Sequence, residues 1–142
     1  MSHPDAPARL DILVSDSPAP CGVEAFARRL AATAAGRASM RPLGAPTAPA
    51  DVLVINLPVV AWKKNLVGPV AAALQARAAG RDVLVVLHEW SDLDWKRRAT
   101  YAPLLPLANA ILFSSPEVAL QFAANPLSRI ATGSRGLVPI RH

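Results

Sequence analysis

Along most of the chain, short runs of apolar residues alternate with longer stretches in which apolar positions recur roughly every three or four residues. "RLDILVS" (Arg9–Ser15) reads as a strand. In "GVEAFARRLAATAAG", Val23, Phe26, Ala27 and Leu30 fall at the spacing of one buried helix face, and Gly36 suits the helix end. "ASMRPLG" (Ala38–Gly44) is a weak second strand. "DVLVINLP" (Asp51–Pro58) is a strong one, rich in β-branched residues and stopped by proline. "NLVGPVAAALQARAAG" (Asn65–Gly80) predicts a helix closed by Gly80, and "RDVLVVLHE" a further buried strand. "DWKRRATYAPLLPLANA" has helical periodicity that Pro103 and Pro106 kink or divide. "AILFSS" (Ala110–Ser115) is another strand. Ser115 then caps the helix of "SPEVALQFAA", with Pro116 at its first position. The tail, "SRIATGSRGLVPIRH", adds a last short strand.

Apolar strands separated by helices predict a single α/β domain over residues 1–142. Its sheet is mostly parallel and doubly wound, with helices on both faces, in the manner of a Rossmann-like layer structure. Ligands of such folds bind outside the carboxyl ends of the strands. That edge gathers Ser15–Gly22, Asn56–Lys64, His88–Trp95 and Ser114–Glu117.

Composition narrows the class. Hydrophobic residues make up 52% and charged residues 18%, which favours a packed globule over disorder. The 14 prolines are spread through predicted loops and helix starts and form no polyproline tract. A formal charge of +5 favours anionic partners. The basic residues are scattered, however, without the concentration and interleaved aromatics of a nucleic-acid binder, so no nucleic-acid partner is expected. One cysteine excludes an intrachain disulfide and a cysteine-pair zinc site, and fits a reducing compartment. The first residues lack the basic and apolar regions of a signal peptide, and no run is long enough for a membrane span. A cytoplasmic protein is expected.

Four stretches carry candidate chemistry. The turn "SDSPAPCGVEAFARRL" has Gly22 but not the GxGxxG of a dinucleotide site, so neither NAD nor FAD is expected. Gly22 either lets an anion approach the free N–H groups of the following helix or simply shapes the turn, with Glu24 favouring the helix start. Cys21 is either a small half-buried residue or a thiol activated by His88. "LHEWSDLDW" places His88 at a strand end, where a neutral-range titrating group can meet a ligand or cap the edge. Trp90 and Trp95 either stack on a ligand or anchor the loop. A lone histidine among scattered carboxylates does not make a metal site. "NLPVVAWKKNL" sets Trp62 before Lys63 and Lys64, and "DWKRRATYAPLL" repeats the combination with Lys96, Arg97 and Arg98. An indole beside cations suits an anionic or membrane surface.

The order of "PCGVEAFARRL", "LHEW", "ANAILFSSPEVALQF" and "GLVPI" resembles the amino-terminal half of retaining GT-B glycosyltransferases, the glycosyl transferase group 1 or family 4-like enzymes. The likeness runs from about Leu10 to Ile140. It implies a nucleotide-sugar donor whose diphosphate lies near Gly22, and His88 as the catalytic polar group at the reaction centre. Glu89, Trp90 and Trp95 would line the acceptor side. Trp62, Lys63, Lys64, Lys96, Arg97 and Arg98 would face a membrane or an anionic acceptor. No cofactor and no metal are implied. The chain departs from the family pattern at Cys21, where the first glycine of the usual pair is expected. In this family a second domain supplies most donor contacts. The resemblance therefore implies an acceptor-side half acting on a polysaccharide or lipid-linked glycan, peripheral at the inner membrane face and inactive alone. It would be a fragment of a longer enzyme or a subunit completed by a partner chain. The other reading is a non-enzymatic α/β interaction module whose cleft a partner closes.

Overall fold

The structure, a computed structural model, describes residues 9–14, 29, 32, 38–42, 51–57, 68–90, 95–131 and 133–137. Strands β1 (Leu10–Val14), β2 (Ala38–Pro42), β3 (Val52–Leu57), β4 (Asp82–Leu87), β5 (Ala110–Phe113) and β6 (Ser134–Leu137) form one six-stranded sheet. Its order is β2-β1-β3-β4-β5-β6, and every neighbouring pair is parallel. The chain is thus an α/β protein with an all-parallel sheet. From β1 the chain steps one way to β2 and then returns past β1 to build outward from β3. The reversal falls between β1 and β3, and in such sheets this is where a crevice opens at the carboxyl ends.

Strands β1, β3, β4 and β5 lie within apolar runs of the sequence, whereas β2 (ASMRP) and β6 (SRGL), at the two edges, are richer in polar residues. The central strands are buried because both faces of a parallel sheet are covered, so Val, Ile and Leu fill them without polar alternation. One face carries Leu53, Ile55 and Leu57 of β3, Val83, Val85 and Leu87 of β4, and Ile111 and Phe113 of β5. Against it pack helices α1 (Gly68–Ala78), α2 (Trp95–Tyr101), α3 (Leu104–Leu107) and α4 (Pro116–Ala124). Small residues let α1 lie close: Ala73 and Ala76 are both buried. The opposite face joins Ile12, Val54 and Val86, and among the described residues only strand residues contribute to that cluster. Arg29 and Ala32, between β1 and β2, are helical, and the rest of the first expected helix lies outside the described residues.

Helix ends follow local chemistry. At Gly80 the chain turns with φ +77°, a backbone region costly for residues with a Cβ. The proline-bearing segment is divided, α3 starting after Pro103, while Pro106 is accommodated inside that short helix. Ser115 caps α4 by accepting from the Val118 N–H at 3.3 Å, with Pro116 at the helix start. Asn109, just ahead of β5, clasps the start of β4. Its N–H donates to the Val83 carbonyl at 2.8 Å, and its side-chain oxygen accepts from the Val83 N–H at 2.8 Å. A side chain here completes the hydrogen-bonding of a strand terminus.

Candidate functional site

The carboxyl edge of the sheet is knit together at its centre. The His88 N–H donates to the Leu57 carbonyl at 2.9 Å, and the Ser114 N–H to the Leu87 carbonyl at 3.0 Å. These bonds continue the parallel ladders one residue past β4 and β5. The alternation of side chains then decides what the edge presents. Val54 and Val86 lie on the second face of the sheet, so Asn56, His88 and Ser114, each reached by steps of two residues, fall on that same face. The register sets Asn56 beside Val86 and Leu112 beside Val86, so His88 and Ser114 stand level with each other and Asn56 lies two residues behind, diagonal to His88 on the same face.

Two contacts hold these three residues together. His88 Nε2 and Asn56 Oδ1 are 3.0 Å apart, and the Ser114 hydroxyl donates to the His88 carbonyl at 3.4 Å. Asn56 is 1% exposed, yet among the described residues its Nδ2 has no hydrogen-bond partner. Such a buried amide group costs about 1–3 kcal/mol relative to one that is paired. Burial pushes the His88 imidazole from 6.5 down to about 4. Near neutrality the ring is therefore uncharged, able to donate from one nitrogen and accept at the other, and unsuited to be a general acid.

That shift gives stability a direction with pH. The unfolded His88 takes up a proton below about 6.5, whereas the folded ring resists until about 4. The unfolded state then binds more protons, so stability present above 6.5 falls as pH drops toward 4. Urea midpoints measured across that window should decline, and the decline should be smaller in His88→Gln.

The other expected site residues separate. Trp90 is fully buried, meeting Phe122 edge-on at 5.0 Å between ring centroids, so its ring is occupied by core packing. Its indole N–H finds no hydrogen-bond partner among the described residues. Glu89, between His88 and Trp90, is exposed. Trp95 is 69% exposed, with Lys96 Nζ lying 5.9 Å from its ring centroid, a cation–π arrangement. Lys96 is exposed, Arg98 half-buried, and Arg97 belongs to the same helix α2. Gly22, Cys21, Trp62, Lys63 and Lys64 lie outside the described residues. Among the described residues no group of His, Cys, Asp and Glu is placed to hold a metal ion, and no helix is long and apolar enough to cross a membrane.

Asn56 is the site residue that periodicity alone passes over. Its signal is a single amide inside the apolar run "DVLVINLP". Asp11, fully buried in β1, is a second polar residue hidden in an apolar run, and it too is engaged by a neighbour. The class defined by fold and site is an all-parallel α/β domain with a cluster of Asn56, His88 and Ser114 at its carboxyl edge. No protein-family model, curated protein or solved structure matches the chain.

Proposed function

We propose that the chain is the acceptor-side half of a nucleotide-sugar-dependent glycosyltransferase, and that the carboxyl edge around His88 receives the saccharide. The observation that carries this reading is the His88–Asn56 pair, an uncharged histidine hydrogen-bonded at 3.0 Å at the carboxyl end of β4. A saccharide presents hydroxyl groups that both donate and accept, and a neutral imidazole with an amide beside it is matched to them. The order of strands and motifs along the chain, with "LHEW" at the close of β4, adds the resemblance to GT-B amino domains.

His88 acts in this reading by holding a hydroxyl in place and, while neutral, by accepting a proton from it. Gly22 gives the donor diphosphate room to approach. Glu89 and Trp95 border the acceptor side, with Trp90 holding the loop from beneath. Trp62, Lys63, Lys64, Lys96, Arg97 and Arg98 meet an anionic acceptor or the membrane carrying a lipid-linked glycan. Most contacts to the nucleotide-sugar come from a second domain or a partner chain.

Calorimetry on this chain separates the two substrates. A neutral oligosaccharide is expected to bind saturably and to lose affinity in His88→Ala, whereas UDP-glucose binds little. Saturable UDP-glucose binding without any saccharide binding would contradict the assignment. Saccharide binding that is indifferent to His88 would remove the residue from the site.

A further inference from the structure

Asn56 sits where the sheet has no use for an amide. Its chain neighbours Ile55 and Leu57 are fully buried, Val86 beside it in the register is 1% exposed, and asparagine is among the residues depleted in strands. A valine or leucine would fill the same position without burying a polar group. The amide carries two N–H donors and one accepting oxygen, and His88 engages only one end of it.

The pair has two self-consistent arrangements. With the proton on Nε2, the imidazole donates to Asn56 Oδ1 and leaves Nδ2 unspent, as the structure shows. With Nε2 bare, the amide turns end for end, Nδ2 donates to the ring, and the oxygen is left over. Either way one buried polar atom of Asn56 remains without a partner among the described residues.

We propose that Asn56 is a ligand-binding residue, its spare amide atom taking one hydroxyl of a neutral saccharide at the carboxyl edge of β3 and β4. The inference rests on the reading of this edge as a saccharide site. A hydroxyl answers both arrangements, because it accepts from Nδ2 in the first and donates to the oxygen in the second. A phosphate or carboxylate oxygen serves only the first, and an ammonium only the second. Among the described residues the cluster brings an amide, a neutral imidazole and a serine hydroxyl, none of which would offset an ion brought into a buried position. Reaching Asn56 requires the edge to open, and the ligand drives that opening by supplying the hydrogen bond that the closed edge lacks.

The test is NMR on the isotope-labelled chain, following the Asn56 side-chain NH₂ pair and the His88 ring nitrogens. Methyl glucoside is added in one series and inorganic phosphate in another. Methyl glucoside is expected to shift both groups saturably, and phosphate to leave them unmoved. Among the monodeoxy glucosides, one should bind about tenfold more weakly, the loss of one hydrogen bond. Asn56→Leu should weaken methyl glucoside to a similar degree. The deoxy series needs no variant, so a misfolded Asn56→Leu does not blunt the test. A shift with phosphate and none with the glucoside overturns the proposal. So does equal binding of every deoxy analogue, in which case the amide serves a trapped water. If the glucoside shifts His88 and leaves Asn56 still, the saccharide site stands and the role of Asn56 falls. If neither residue responds, both fall.

Discussion

Replacing Phe122 with alanine should destabilise the domain by about 3–5 kcal/mol, the range for removing a fully buried aromatic ring from a well-packed core. Phe122 is 0% exposed and lies in α4, where it joins two other aromatic side chains. Trp90 meets it edge-on at 5.0 Å with an interplanar angle of 79°, and Phe113 of β5 lies tilted at 5.4 Å. Edge-on aromatic pairs contribute beyond their buried area, so the truncation loses contact geometry as well as hydrophobic burial. Phe122 and Trp90 pack on the first face of the sheet and His88 lies on the second, so stability is expected to fall while the His88 midpoint stays at about 4. Chemical denaturation measures the first effect and NMR titration of the ring the second. Phe122→Leu, which keeps most of the volume, should show a smaller loss of stability.

Gly133→Ala should be the other severe change, for a reason unrelated to cavities. A Cβ at this position would stand 2.5 Å from the Ala108 carbonyl oxygen and 2.6 Å from that of Asn109. Both are backbone atoms, so no side chain can rotate out of the way. Relief has to come from moving β6, which begins at the next residue, or from moving the Ala108–Asn109 link ahead of β5. The second route strains the clasp that Asn109 makes on Val83 at the start of β4. Overpacking in a well-packed region costs roughly 1–3 kcal/mol and sometimes more, and unyielding backbone on the far side puts this case at the upper end. Urea midpoints of Gly133→Ala and Gly80→Ala make an informative pair. A Cβ at Gly80 meets nothing within 4 Å, and the cost there comes from its positive φ of 77°. Gly80→Asn should recover part of the loss at Gly80, because asparagine tolerates that backbone region. Gly133→Asn should recover nothing.

These two sites mark the boundary between what the sequence reveals and what it conceals. The strands were legible because a parallel sheet buried on both sides demands short, unbroken runs of β-branched and aliphatic residues. "DVLVIN", "DVLVVL" and "AILF" have that character without any reference to their partners. The break before α3 was legible in Pro103, and the start of α4 in the Ser115–Pro116 pair, because both effects act through bonds within a turn of the residue. Features that depend on register were not legible. Asn56 and His88 are 32 residues apart and meet only because β3 and β4 pair as they do. The closeness of Gly133 to Asn109 likewise follows from how β6 joins β5. Trp90 illustrates a different gap. Composition marks an indole beside a histidine as either a stacking surface or an anchor, and only packing against Phe122 decides in favour of the core. His88 itself was legible as a strand-end histidine. Its uncharged state was not, since that depends on how much water the surrounding fold removes.

The fold holds His88 uncharged at the carboxyl edge and hydrogen-bonded to Asn56. Titration of the His88 ring nitrogens by NMR in the folded chain tests it most directly. The ring is expected to stay neutral through the physiological range, with a midpoint of about 4. A ring that titrates near 6.5, as it would in an unfolded chain, would contradict it.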